Sequence, residues 1–257
     1  MDQHDLAGLT AVVTGGGSGI GRATVELLLR HGASVGVLDL RPGKPEARLA
    51  TFVADVTDPH AVQRGVDRFA AQFGGLDICI NIAGVSATGT IEKTDDSVWR
   101  HVFDINVLGM VHAVQAVVNY LRRSPHAVIV NMGSVAGWIG IPDRVAYSAT
   151  KGAVHALTLA LAADLVVDGI RVAAVAPGTI LTPFVTDILE HSEDADKERE
   201  VLAARHPIGR FGTAEEVAWA IYCLVHPRSS FLTGTILAVD GGIQHLRVPP
   251  RVAASGR

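Results

Sequence analysis

L-T-A-V-V-T at residues 9–14 runs straight into G-G-G-S-G-I-G at 15–21, and Arg22 to His31 follows with Val25, Leu28 and Leu29 at helical spacing. A buried strand, a glycine turn and a helix in that order form a phosphate-binding element. Glycines let the backbone approach a pyrophosphate, while the helix N-terminus offers free N–H groups and positive potential. Gly15, Gly17, Ser18, Gly19, Ile20 and Gly21 are therefore expected around the phosphates. The spacing is T-G-x-x-x-G-x-G and not the generic G-x-G-x-x-G. A second strand, Ser34 to Leu38, ends at Asp39, eighteen residues beyond Gly21. An acid there can accept hydrogen bonds from both ribose hydroxyls of an adenosine and repels a 2′-phosphate, which favours NAD over NADP. Ser18 is uncharged and no basic residue directly follows Asp39, in agreement. Arg41 is the discordant note, close enough to reach a 2′-phosphate.

Further strands follow the same plan. Ala50 to Ala54 finishes in Asp55-Val56, and Leu76 to Ile80 finishes in N-I-A-G, Asn81 to Gly84. In a parallel sheet each of these turns lies at the carboxyl edge, where open α/β sheets bind ligands. Strands and helices alternate to the end with no linker, repeat or low-complexity run. With 257 residues, 48% of them apolar, the chain suits a single domain with a substantial core.

Tyr147 and Lys151, in Y-S-A-T-K, lie four residues apart at the head of an apolar helical stretch, so they share one helix face. A phenol titrates at about 10, and a neighbouring cation favours its ionised form. The pair can therefore make a proton acceptor usable near neutral pH. Ser134 stands in G-S-V-A-G after the apolar strand A-V-I-V-N-M, thirteen residues before Tyr147, where its hydroxyl can serve a carbonyl or alcohol oxygen. Asn106, in D-I-N-V-L-G, is an asparagine within an apolar helical stretch. Its amide disfavours the helix unless it has a task, either in the site or bonded to a helix carbonyl.

T-G-G-G-S-G-I-G, Asp39, D-V at 55–56, N-I-A-G, Asn106, Ser134, Y-S-A-T-K, P-G at 177–178 and V-D-G-G at 239–242 follow one another over residues 8 to 242. In that order they resemble the single-domain short-chain dehydrogenase/reductases. The resemblance implies a doubly wound, Rossmann-like α/β fold. It would have a parallel seven-stranded sheet, helices on both faces, one domain over 1–242 and a tail at 243–257. It implies Tyr147 as general acid/base, Lys151 on the nicotinamide ribose and depressing the phenol's pKa, Ser134 on the substrate oxygen, and Asn106 holding a water that links Lys151 to solvent. Asp55, Val56, Asn81, Ala83, Gly84, Pro177, Gly178, Ile180 and Thr182 would line the dinucleotide, the last two pinning its carboxamide. Residues 183 to about 206 would form a substrate lid, with apolar Phe184, Val185, Ile188 and Leu189. Ile82 departs from the family's N-N-A-G.

The implied activity is hydride transfer between NAD and a secondary alcohol or ketone. A 3-oxoacyl thioester reductase is the enzymatic rival; a non-catalytic dinucleotide-sensing module would predict erosion at Ser134, Tyr147 or Lys151, and none is seen. The substrate pocket is expected between Val85–Thr94, Val135–Arg144 and the lid. Trp138, Ile139 and Ile141 would give an apolar wall, with Arg144 facing solvent or meeting a carboxylate or sugar hydroxyl.

A net charge of −4 without a basic stripe argues against nucleic acid as a partner. The first strand starts about eight residues in, and the longest apolar run, Val154 to Val167, is broken by His155 and Asp164. The expectation is a cytoplasmic enzyme without a membrane partner. Cys79 and Cys223 read as core thiols of a reducing compartment. The eleven histidines form no metal-binding motif, so no metal is assigned. The helices around Asn106 and Lys151 are apolar on most sides, which predicts a homo-oligomer, by resemblance a tetramer.

Overall fold

The computed structural model describes residues 4–182, 185 and 194–248. Its strands are β1 (Thr10–Thr14), β2 (Ser34–Asp39), β3 (Leu49–Val53), β4 (Ile78–Asn81), β5 (Val128–Met132), β6 (Arg171–Pro177), the two-residue β7 (Ile180–Leu181) and β8 (Gly212–Thr213), and β9 (Thr235–Val239). Seven of them form one parallel sheet in the order β3-β2-β1-β4-β5-β6-β9, while β7 pairs with β8 alone. The central strands are continuous apolar runs because both of their faces are covered. Val128 and Val130 of β5 join one core with Leu28, Val217 and Ile221. Ile129 between them joins the opposite core with Val62, Phe69 and Val117. That alternation places α1 (Gly19–Arg30) on the first face and α2 (Pro59–Phe73) on the second.

Local signals set the helix ends. Asp58 accepts from the backbone N–H groups of His60 and Ala61, Pro59 opens α2, and Gly74 closes it with φ 83°. After α3 (Asp96–Phe103), α4 (Gly109–Leu121), α5 (Val145–Leu165) and α6 (Ala195–Ala204) comes α7 (Ala214–Val225). Thr213 and Glu216 open α7 with a reciprocal capping box.

The strand order reverses direction between β1 and β4, and a crevice opens at their carboxyl ends. The turns after these strands are in contact: the Ala83 N–H donates to the Thr14 carbonyl at 3.1 Å. A side chain on Gly15 would lie 2.6 Å from the Ala83 nitrogen.

The helix expected to run through Asn106 does so as the stretch Asp96–Leu121, in which Asp104–Leu108 widens into a π turn between α3 and α4. One expectation is corrected here. Two helical stretches, Asp96–Leu121 and Val145–Asp168, do match a membrane span in length and hydropathy, against the reading that no run is long enough. Ala113, Val117 and Leu121 of the first and Ala162 and Leu165 of the second are buried in the core, and each stretch carries a buried polar group, Asn106 and Lys151. Of the expected lid, 183–184 and 186–193 lie outside the described residues, as do 249–257 of the tail.

Candidate active site

The glycine turn is built by steric necessity. Gly15 has φ +71°, and a Cβ on Gly21 would sit 1.9 Å from the Gly15 carbonyl oxygen. The Ser18 side chain caps none of the first-turn N–H groups of α1, which leaves these donors for an anion. Gly17 lies one step back from the cleft. Its N–H donates to Asp39 Oδ2 at 2.9 Å, and a Cβ there would meet the Arg41 carbonyl oxygen at 2.3 Å. The Arg41 N–H donates to Asp39 Oδ1 at 2.8 Å. The Asp39 carboxylate is thus aimed by two backbone bonds, and each oxygen keeps a lone pair for a ribose hydroxyl.

A cleft of about 770 Å³ runs from Asp39 and Leu40 across the turn to Tyr147. Gly15, Ser18, Gly19, Ile20 and Gly21 line it, followed by Asp55 and Val56, then Ala83 and Gly84. Pro177, Gly178, Ile180 and Thr182 close the far side, beside Ser134, Tyr147 and Lys151. The structure therefore gathers most of the residues singled out in the sequence around one cavity.

Three of them are elsewhere. Gly17 has been described. The side chain of Asn81 turns into the interior, where Nδ2 donates to Asn131 Oδ1 at 2.9 Å; Asn131 in turn donates to Thr158 Oγ1 at 3.0 Å. Strand alternation forces this: with Ile82 to Gly84 forming the rim, Asn81 still belongs to the ladder of β4. Asn106 also sits behind the wall. Its Oδ1 accepts from the Val85 N–H at 2.8 Å, while Nδ2 donates to the Val85 carbonyl at 2.9 Å and to Thr150 Oγ1 at 3.1 Å. No helix carbonyl claims this amide; its partners are the backbone of the wall residue Val85 and the Thr150 hydroxyl. It fixes the loop after β4 to α5, and the π turn brings it into reach.

Tyr147 is partly buried at the cleft wall, and its phenol is held above the usual range of tyrosine. Burial is the largest cause, opposed by the hydrogen bond from Ser134 and by the positive charge of Arg144. Lys151 Nζ lies 5.6 Å from the Tyr147 ring centre and donates to the Met132 carbonyl at 2.8 Å. Burial holds this ammonium at about 8, well below its ordinary value. The protein's own groups thus do not acidify the phenol as the Tyr–Lys spacing suggested, because desolvation outweighs them.

Several positioning residues escaped the sequence reading. Ser134 begins the short turn Val135–Gly137 and accepts from the Ala136 N–H at 3.1 Å. That loop is moulded on His155, since a Cβ on Gly133 or Gly137 would lie 2.6 or 2.5 Å from its ring. The His155 ring is kept neutral, its pKa lowered to about 4 by burial and by Lys151. His206 Nε2 accepts from the Thr179 N–H at 2.9 Å and so holds the loop after β6. Thr150 Oγ1 donates to the Tyr147 carbonyl at 2.7 Å while receiving Asn106. The available signal was a polar residue within an apolar helix, as at Thr150 and His155. Of the two places the sequence leaves open for Arg144, solvent or the substrate, the structure takes the second side: it lines the cleft, with Nη1 donating to Ser86 Oγ at 3.0 Å and Thr88 Oγ1 at 2.6 Å.

An anion-binding turn at one end of a cleft, with a phenol, a hydroxyl and an ammonium together at the other, defines a dinucleotide-binding α/β oxidoreductase. Residues 15–244 match the family described as enoyl-(acyl carrier protein) reductase. The chain is 37% identical over 241 residues to 2-(S)-hydroxypropyl-CoM dehydrogenase 3 of Xanthobacter autotrophicus, covering 90% of this chain and 94% of that one. It is 34% identical to the 3-oxoacyl-[acyl-carrier-protein] reductase of Thermotoga maritima, over 93% and 98% of the two chains. The aldohexose dehydrogenase of Thermoplasma acidophilum superposes with a TM-score of 0.89 at 34% identity, over 96% of this chain and 100% of that structure. The chain belongs to the short-chain dehydrogenase/reductase family. Membership implies a nicotinamide dinucleotide as cofactor.

Proposed function

We propose that this protein is an NAD-dependent dehydrogenase acting on a secondary alcohol or the corresponding ketone. The observation that carries this is the convergence of Ser134, Tyr147 and Lys151 in the same cleft that begins at the glycine turn and Asp39. A bound nicotinamide dinucleotide supplies the hydride acceptor for oxidation and the donor for the reverse reaction. Tyr147 takes the alcohol proton on its phenolic oxygen, or returns it to the ketone. The Ser134 hydroxyl bonds the same substrate oxygen and holds it against Tyr147. Lys151, directed by the Met132 carbonyl and placed beside the Tyr147 ring, grips the nicotinamide ribose hydroxyls. The relatives named 2-(S)-hydroxypropyl-CoM dehydrogenase and aldohexose dehydrogenase are both named for hydroxyl-bearing substrates, which supports the substrate class. The second reading, a 3-oxoacyl thioester reductase, draws on the relative from Thermotoga maritima.

Asp39 and Leu40 line the cleft while Arg41 does not, which favours the unphosphorylated ribose. Purified protein screened against secondary alcohols, polyols and 3-hydroxyacyl thioesters, with NAD and NADP in parallel, tests the reading. In the same assay Asp39→Ala is expected to weaken NAD about 10–100-fold while changing NADP little, since two charge-assisted ribose bonds are lost only for NAD. Equal losses for both dinucleotides would remove the ribose assignment.

A homotetramer goes with this reading. The face of α5 away from the sheet exposes Ala149, Ala156, Leu159, Ala160 and Ala163, a nearly charge-free stripe. Sedimentation at micromolar concentration is expected to give four chains per particle, and a monomer would refute it. A cytoplasmic setting, small-molecule substrates and no nucleic-acid or membrane partner complete the proposal.

A further inference from the structure

The substrate end of the cleft has a charge pattern that proton transfer does not use. Val85, Val135, Ile141 and Leu202 give it apolar walls. Among the described residues that line the cleft, the only acids are Asp39 and Asp55, both at the adenosine end. At the substrate end stands Arg144, the residue that caps α5, three positions before Tyr147. The placement of its guanidinium is built in. Nη1 donates to Ser86 Oγ, to Thr88 Oγ1 and, at 3.4 Å, to the Ala87 carbonyl. A backbone bridge joins Gly89 to Arg144, and the Gly89 N–H donates to the Asp143 carbonyl at 2.9 Å. Asp143 itself has φ +57°, the one non-glycine residue with positive φ among those described. Such a conformation persists only where the surroundings impose it, and it often marks a functional turn. Three acceptors therefore hold one corner of the guanidinium, while Nε and Nη2 make no hydrogen bond to a described residue.

Resting on the dehydrogenase reading above, we propose that Arg144 is a specificity-determining residue that binds a carboxylate on the substrate, so that the natural substrate is a short hydroxy or keto acid with an apolar body. The edge formed by Nε and Nη2 matches the two oxygens of a carboxylate, and the fixed corner means little side-chain freedom is lost on binding. Three helical residues advance only ~4.5 Å along the axis. An anion on Arg144 and an oxygen on Tyr147 are then separated by the width of a small molecule. The apolar walls face what lies between them.

The test uses the enzyme loaded with NADH, whose fluorescence reports ligands packed beside the nicotinamide. The probes are cyclohexanecarboxylate and its neutral isostere cyclohexanecarboxamide, neither of which can react. Wild type is expected to prefer the carboxylate by about tenfold to hundredfold, the worth of one charge-assisted pair. R144Q is expected to bring that preference close to unity. R144K is expected to retain an intermediate preference, since it keeps the charge but not the fork. NADH affinity of each variant, read in the same titration, reports whether the cleft is still folded. A preference absent in wild type, or undiminished in both variants, overturns the carboxylate site while leaving the dehydrogenase reading intact. Failure of NADH to bind wild type would remove that reading and this proposal with it.

Discussion

Tyr147→Phe is expected to lower kcat for alcohol oxidation by ~10²–10⁴-fold, the usual range for loss of a positioned acid–base group. Dinucleotide affinity should stay within about twofold, because the ring still fills its place on α5 and only one oxygen is lost. The pH profile separates this from a packing defect. In wild type, burial keeps the phenol protonated above the usual tyrosine range, against Ser134 and Arg144. Oxidation needs the deprotonated form, so its rate should climb with pH as that fraction grows. Reduction needs the protonated form and should fall at high pH. The phenylalanine ring of the variant has nothing to titrate, and the residual rate should lose both slopes. A variant that keeps its turnover, or keeps the wild-type pH profile at a lower rate, would show that another group moves the proton. Ser134→Ala in the same assay should cost less than Tyr147→Phe, since in the proposed mechanism Ser134 only shares the substrate oxygen.

How much of this was legible in the sequence follows from the physics of each element. The glycine turn could be read because it has so few solutions: no side chain fits at Gly21, where the Gly15 carbonyl is already in place. The parallel sheet could be read because its central strands must be apolar on both faces. The corrections fall where several elements meet. Asn81 and Asn106 both occupy positions next to the cleft in sequence, yet their amides point to Asn131 and to Val85, partners 50 and 21 residues away. Those partners are set by strand register and by the π turn, which periodicity does not encode. The side to which Arg144 turns is left open by the sequence for a related reason. A charged residue in a loop is normally solvated, and only the contact between 86–88 and the head of α5 turns it inward. His155 left only the trace of a polar residue in an apolar helix and His206 left none, because their work is to fill space under loops whose shape is fixed elsewhere.

Lys151→Met should separate stability from function in opposite directions. At 4% exposure, Lys151 keeps its ammonium at about 8 against an ordinary 10.5. Each tenfold change in that equilibrium corresponds to ~1.4 kcal/mol, so housing the charge costs the fold about 3 kcal/mol below pH 8. The bond to the Met132 carbonyl, which the neutral amine would also make, is lost in the variant and offsets about 1–2 kcal/mol of this. Methionine has nearly the same length and no charge to bury. At pH 7 the variant is therefore expected to be more stable by roughly 1–2 kcal/mol, or ~2–6 °C in Tm at fixed protein concentration, while kcat/KM falls by ~10²–10⁴-fold. The pH dependence fixes the sign. Below pH 8 both folded and unfolded wild type hold the lysine proton, and the full cost is present. Between about 8 and 10.5 the folded state releases it first, the unfolded state binds more protons, and wild-type stability rises with pH. The methionine variant lacks that rise, so its advantage should shrink over this window and reverse slightly above it, where only the lost Met132 bond remains. Denaturant melts of both proteins at pH 7, 9 and about 10.5 measure the crossing. A variant less stable than wild type at pH 7 would mean that the ammonium is stabilised by more than the Met132 carbonyl and the Tyr147 ring. The cation beside the proposed base Tyr147 would then be one the fold favours, and not one it tolerates for the sake of the chemistry.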